Sequence, residues 1–342
     1  MTKREHFLKI LAGESERCGF WHGRPRADAL PRLCEYFGVP DDFSLGLLLG
    51  DDVCWIWPEA ENFWPDGELF DFLNGKTRTS LGESGVFADM DDLAQVDDFP
   101  WPDASRCDFS KELEQIHRAH DAGLAVLSGI WAPFFHDVAN AFGMEEYFIR
   151  MHTDPEMVHA VTRRVVDFYL AANEILLSQA NGAIDAYFFG NDYGSQLDLL
   201  ISPDCFREFL LPYVDELIAQ AKRFGCRIVT HSCGAISRVI PDLIQSGVEL
   251  LHPIQAKARG MDAQSLQDRF ADQIRFMGGI DVQHLLTYGT PEEVAAEVHR
   301  VASIFGPNYI ISPSHECILP NVPPENLEAL ALAAKREREG SL

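Results

Sequence analysis

Arg227-Ile228-Val229-Thr230-His231-Ser232-Cys233-Gly234 is a β-branched apolar run that ends abruptly in a histidine, a cysteine and a glycine. The run suits a strand buried on both faces, and the residues after it are ones that ligate soft metals. A second stretch repeats the arrangement, with Tyr309-Ile310-Ile311-Ser312 leading into Ser314-His315-Glu316-Cys317. Two strands that release such residues from the same end suit a parallel sheet with its chemistry at the C-terminal edge.

From about Ala122 onward, short apolar runs alternate with amphipathic stretches, the pattern of repeated βα units. The predicted strands are Leu124 to Ile130, Ile184 to Phe189, Arg227 to Thr230, Val248 to Leu251, Ile274 to Met277 and Tyr309 to Ser312. Helical patterns fill the gaps and carry their own start signals. Asp154 precedes Pro155, Ser202 precedes Pro203, and Thr290 precedes Pro291-Glu292-Glu293, each pairing a capping side chain with a first-turn proline. An earlier strand near Gly19 to Gly23 and one more, unplaced, bring the number to the eight that close an α/β TIM barrel. The competing doubly wound sheet expects a glycine-rich phosphate turn, and no G-x-G-x-x-G or P-loop pattern occurs.

The chain, 1–342, thus reads as a single (β/α)8 domain. Residues 38–108 depart from the pattern, being rich in Asp, Pro, Trp and Phe, with turn signals at Pro65-Asp66-Gly67 and Asn74-Gly75. They are expected to form an irregular insertion, with strands or a hairpin, that acts as a lid near the barrel mouth.

With 53 acidic against 28 basic side chains, the formal charge is -25. An excess of that sign repels phosphate backbones and anionic membrane surfaces, so neither nucleic acid nor membrane is an expected partner. The start, Met1-Thr2-Lys3-Arg4-Glu5-His6, has no apolar signal core, and no segment reaches the roughly 18 apolar residues of a membrane span. The eight cysteines are scattered without a secreted-domain framework, so reduced thiols and a cytoplasmic setting are expected.

In a TIM barrel the residues just past each strand hold the chemistry. His231, Cys233 and Cys317 make a His/Cys/Cys set that suits a zinc ion with one position open, although His315 stands close enough to Cys317 to ligate in its place. Glu316 is either a fourth ligand or a solvated charge. Asp192 is the candidate general acid or base, and Asp281 is placed to act with it or to orient His231. The expected substrate wall is Trp21, His22, Trp131, Tyr193, Gln255 and His315, with His252 beside them.

Asn191-Asp192-Tyr193-Gly194-Ser195-Gln196, Ile201-Ser202-Pro203, His231-Ser232-Cys233-Gly234, Pro253-Ile254-Gln255, Gly278-Gly279-Ile280-Asp281, Gly289-Thr290-Pro291 and Pro323-Pro324-Glu325-Asn326 follow one another in this order. The succession resembles the uroporphyrinogen decarboxylase superfamily from about Asp185 to Leu330, and more loosely back to residue 1. That resemblance implies a TIM barrel and one of two chemistries. True decarboxylases of the superfamily bind substrate carboxylates through an arginine-rich N-terminal motif and need no metal. The corresponding Gly19-Phe20-Trp21-His22-Gly23-Arg24-Pro25-Arg26 has arginines but not that pattern. The corrinoid-linked methyltransferases carry a His-x-Cys pair and a distant Cys as zinc ligands, which His231, Cys233 and Cys317 match.

The resemblance therefore implies a zinc-dependent methyltransferase. It would move a methyl group between a small substrate, a thiol or a methoxylated or methylated compound, and the cobalt of a corrinoid on a separate partner protein. A homodimer is compatible with this reading. The alternatives are a metal-independent decarboxylase or lyase acting on a carboxylated small molecule, and a degenerate member that binds without turnover.

Overall fold

The computed structural model describes residues 1–77, 79–80 and 82–339. Its strands are β1 (Gly19–Phe20), β2 (Arg24–Pro25), β3 (Val53–Trp55), β4 (Ala125–Ser128), β5 (Ala186–Gly190), β6 (Arg227–His231), β7 (Leu250–Ile254), β8 (Arg275–Ile280), β9 (Tyr309–Pro313) and β10 (Cys317–Ile318). Eight of them form one sheet in the order β1-β9-β8-β7-β6-β5-β4-β3, and β2 pairs with β10 outside it. Every pairing is parallel. The two sheet edges meet through the Asp52 N–H, which donates to the Phe20 carbonyl at 2.9 Å. The Phe20 N–H donates in turn to the Asp52 carboxylate at 2.9 Å. The result is the nearly closed TIM barrel, ringed by helices, that the βα pattern predicts. No helix among the described residues is long and apolar enough to cross a membrane.

The predicted strands lie within a few residues of those observed. The strand left unplaced is Val53–Trp55, inside the stretch 38–108 that the composition sets apart. A strand of three residues is too short to show a period, and its barrel role comes only from pairing Val53 with Ala125 and Trp55 with Leu127. Beyond Trp55 that stretch forms short helices and turns among its described residues, and the expected hairpin is absent. Asn74 and Gly75 do take left-handed conformations, φ 53° and 74°, yet they join no strands. Instead Phe70, Phe72, Phe87, Phe99 and Trp101 pack into an aromatic cluster of their own. Arg150 ties the segment to the barrel helices by donating to the carbonyls of Ala88 at 2.8 Å and Met90 at 2.7 Å.

Inside the barrel, alternate residues of successive strands point inward, as the period of two requires. Ala125, Leu127, Ala186, Phe188, Val229, Leu250, Met277 and Ile310 fill this interior, and Phe7 and Ile10 of the first helix, Lys3–Ala12, pack against them. Burying a side chain such as Phe188, which is fully covered, stabilises the fold by about 1.5–3 kcal/mol. The side chains that fill the interior are apolar, whereas buried charged groups sit at both ends of the strands, with His6, Asp52 and Asp185 before them and His231 and His252 at the C-terminal mouth.

Beside the closing seam, the His22 N–H donates to Asp51 Oδ1 at 2.8 Å, its Nδ1 lies 2.6 Å from Asp51 Oδ2, and its Nε2 lies 3.3 Å from Asp42. Burial opposes protonation of His22, but Asp51 and Asp42 outweigh it and raise the pKa from 6.5 to about 10. A histidine whose folded pKa is raised stabilises fully below its unfolded value and loses that contribution as pH climbs through the folded value. The stability gap between wild type and His22→Gln, from urea midpoints, is therefore expected to be largest below about pH 6.5 and to shrink toward pH 10. A gap independent of pH would show that His22 is not held as an imidazolium.

Candidate metal centre

The parallel register sets the site. Val229 lies in the interior, so His231, two residues further along β6, shares its inward face at the barrel mouth. Gly190 of β5 and His252 of β7 are its register partners on either side. A Cβ at position 190 would sit 2.6 Å from the Trp131 ring and 2.7 Å from the His231 Cβ, so only glycine lets the indole close over the imidazole. The Trp131 and His231 ring centres are 5.1 Å apart.

After His231 the chain turns sharply at Gly234, which has φ +88° and lies so close to Gly194 that a Cβ there would meet its carbonyl oxygen at 2.2 Å. The turn aims Cys233 back at the ring, with its Sγ 3.5 Å from His231 Nε2. Gln255 holds the turn by accepting the Gly234 N–H at 2.6 Å. Asp192 Oδ1 accepts the Cys233 N–H at 2.8 Å and lies 3.3 Å from His231 Nε2. The Asp192 N–H donates to His136 Nε2 at 2.9 Å.

His231 Nδ1 and His252 Nδ1 are 3.2 Å apart, so one donates to the other. Burial acts against the charge on both rings, but Glu316, Asp192 and Cys233 push His231 well above the ordinary histidine value. His252, beside two positive rings, is pushed well below it. His231 is therefore the donor, and its Nδ1 proton points at His252. This leaves Nε2 directed at Asp192 and Cys233, the arrangement in which a metal-binding histidine has its other nitrogen held by a neighbour. Burial pushes the Asp192 carboxyl up, but the hydrogen bonds and charge from His231 and Cys233 hold it well below the usual carboxylate range.

Three groups of side chains could each hold a metal ion, with ligand atoms within 4.8 Å of one another: Asp192, His231 and Cys233; His231, His252 and Glu316; and His315, Glu316 and Cys317. They interlock through His231 and Glu316. His231 and Cys233 are thus brought together as expected, whereas Cys317 falls with His315 and Glu316 rather than joining them in one group. Glu316 Oε2 is buried without a hydrogen bond, 3.4 Å from His315 Nδ1 and 3.7 Å from His231 Nδ1, and His252 Nε2, which carries the proton when Nδ1 accepts, is buried without a partner as well. Burial opposes charge on His315, yet the Cys233 and Cys317 side chains and Glu316 beside it raise its pKa to about 10. A soft donor set beside a buried carboxylate oxygen that makes no hydrogen bond fits a metal ion such as zinc.

Other predicted residues are dispersed. Trp21 packs edge-on to His252, with centres 5.3 Å apart, and belongs to the mouth. His22 faces Asp51 in a separate cavity of about 30 Å³. Tyr193 is fully covered between Phe135 and Phe206, so it supports the site from behind instead of lining it. Asp281 accepts the Gln283 N–H at 2.9 Å and approaches Lys257 and His284, so the orienting of His231 passes to His252 and Asp192. His136, Trp55 and Trp57 escaped sequence reasoning. The last two stack with centres 5.2 Å apart and meet Trp131, and the Trp-x-Trp alternation after Val53 was the available signal.

Beside this cluster a cleft of about 1190 Å³ runs between residues 57–77 and the segment after β4, including Trp131 and Asp137. The molecule is thus an α/β barrel whose C-terminal mouth gathers a candidate soft-metal site next to a deep aromatic cleft. The chain belongs to the uroporphyrinogen decarboxylase (URO-D) family, whose pattern matches residues 74–337. A methylated-thiol–coenzyme M methyltransferase from Methanosarcina mazei is 28% identical over 182 residues, 53% of this chain and 46% of that protein. A uroporphyrinogen decarboxylase from Chlorobium limicola is 26% identical over 216 residues, 60% of this chain and 57% of that protein. The chain spans about half the length of these curated relatives. A solved methyltransferase from Methanosarcina mazei shares the fold, with a TM-score of 0.69 and 17% identity over 98% of this chain and 99% of that one.

Replacing Gly190 by alanine forces Trp131 or His231 out of position, and such overpacking costs about 1–3 kcal/mol. The urea midpoint should fall with an unchanged slope, and the tryptophan emission should shift as Trp131 leaves the imidazole. An unaltered midpoint and spectrum would show that the indole does not pack there.

Proposed function

We propose that the protein is a zinc-dependent methyltransferase that exchanges a methyl group between a small methylated compound or thiol and a corrinoid carried by a partner protein in the cytoplasm. The observation that carries this reading is the His231 ring, whose Nδ1 is hydrogen-bonded to His252 while Nε2 is aimed at Cys233 and Asp192. His231 and Cys233 would hold the metal, with Cys317 and His315 as the candidates for a third ligand and Asp192 and Glu316 as oxygen donors. Bound there, zinc favours the deprotonated form of a thiol or polarises the bond to a methylated oxygen or sulfur.

The remaining work falls to the chain itself. Asp192 holds the Cys233 turn through the backbone N–H and sets the direction of the imidazole. Trp131 and Trp57 wall the cleft next to the ring and exclude water from it. Residues 57–77 cover that cleft as a lid and shape which substrate enters. The printed activity of the Methanosarcina mazei relative, on methylated thiols, supports the reading. The matches to decarboxylases, together with Arg24 at the mouth, favour a metal-independent decarboxylase as the second reading.

Metal analysis separates the two. Reduced, zinc-supplied wild type is expected to carry about one zinc per chain, and His231→Ala and Cys233→Ser to lose both the metal and methyl transfer from methylcobalamin to a thiol. Comparing Cys317→Ser with His315→Ala identifies the third ligand by which variant loses zinc. Full activity in a metal-stripped sample would reject the zinc mechanism.

A further inference from the structure

The cleft beside the metal cluster has a chemistry that methyl transfer alone does not require. Its walls are rings, among them Trp57, Trp64, Phe70, Trp131 and Tyr169. Its ionisable lining is one-sided, with Glu59, Glu61, Glu68 and Asp137 against Lys76 among the described residues. One face of this wall already holds a cation, because the Arg24 guanidinium lies 4.8 Å from the Trp57 ring centre and 5.6 Å from that of Trp55. Glu59 pairs with that arginine at 2.6 Å.

Asp137 has no such partner. It projects into the cleft from the helix Phe134–Phe142, and it accepts a hydrogen bond from the Tyr169 hydroxyl at 2.6 Å. It is half-buried, and among the described residues its carboxylate accepts from Tyr169 and enters no ion pair. Burial pushes its carboxyl up to about 7, against the lowering effect of the tyrosine. Aromatic faces attract cations through the negative charge of the ring, most strongly where water is excluded. A carboxylate with no ion pair among the described residues, set among rings, suits a positive ligand with an apolar surface.

We propose that this cleft binds a small organic cation bearing methyl groups on nitrogen or sulfur, a methylated ammonium or sulfonium, with Asp137 as its counter-ion and the rings of Trp57, Trp131 and Tyr169 around the methyl groups. The inference deepens the methyl-transfer reading and rests on it. Trp131 lines the cleft and its ring centre lies 5.1 Å from that of His231, so a molecule held against Trp131 is one indole away from the metal cluster. When a methyl group leaves such a cation, the pair of the broken C–N or C–S bond stays on nitrogen or sulfur. The pair for the new bond comes from the acceptor, a thiolate or a reduced corrinoid. The product leaves its bond as a neutral sulfide or amine, so no acid is needed for its departure. A sulfide stays neutral and leaves Asp137 without a partner, which weakens the hold on it, whereas an amine takes up a proton from water and departs as an ammonium ion.

The test is calorimetric titration of the full-length wild type with choline, with trimethylsulfonium, and with the neutral isostere of choline in which tert-butyl replaces the trimethylammonium group. The onium compounds are expected to bind about tenfold tighter than the isostere or better. Asp137→Asn should lose that preference while binding the isostere as wild type does. Equal binding of choline and its isostere to wild type overturns the proposal without recourse to any variant, and so does an Asp137→Asn protein that keeps the preference. Methyl transfer from methylcobalamin to a thiol, measured on the same preparations, separates the two readings. Transfer without onium preference rejects the substrate class alone, whereas onium preference without any transfer supports the cleft's specificity and rejects the methyltransferase reading.

Discussion

Val229 packs in the barrel interior, and the period of two along a strand then places His231 on the same inward face. Because β5, β6 and β7 run parallel and in register, Gly190, His231 and His252 stand level across three neighbouring strands. That single alignment accounts for most of the mouth. It lets Trp131 close over the imidazole where Gly190 has no side chain, and it brings His252 within hydrogen-bonding distance of His231 Nδ1. A shift of one residue in β6 would turn His231 toward the outer helices and leave the site without its central ring.

Charge then selects a state for that ring. His231 touches Asp192, Glu316 and Cys233, while His252 faces two rings that carry positive charge, so the pair divides into a donor and an acceptor. The division, together with Asp192, orients His231 Nε2. Glu316 Oε2 is buried and makes no hydrogen bond, although it lies within 4 Å of the His231 and His315 rings. In a folded protein such an atom is costly, by about 1–3 kcal/mol, unless a ligand completes it.

The segment after β3 works on a different principle. It has no regular strands beyond Trp55 among its described residues, and it is organised by an aromatic cluster and by Arg150, which donates to the carbonyls of Ala88 and Met90. A wall built from rings is stiff and has few hydrogen-bonding demands, so a large cleft can remain open beside it. The barrel therefore supplies the reacting groups, and this segment supplies the surface that a substrate meets.

Period, caps and strand-end residues are local properties of the chain, and they carried the barrel, the helix starts and the His231-Cys233 pair directly from the amino-acid sequence. The three-residue strand Val53–Trp55 was not legible, because so short a run has no period and becomes a strand only by pairing with Ala125–Leu127. Nor was the neighbourhood of Cys317. Its two-residue strand pairs with Arg24–Pro25, and Cys317 groups with His315 and Glu316, while His315 is influenced by the Cys233 and Cys317 side chains alike. Asp281 and Tyr193 were reasonable strand-end candidates, yet a loop's path decides which of its side chains face the mouth, and theirs face elsewhere. The sequence by itself thus determined which residues the strands deliver to the mouth. Only the tertiary structure decided which of their atoms come within bonding distance, because those distances depend on contacts between segments far apart in the chain.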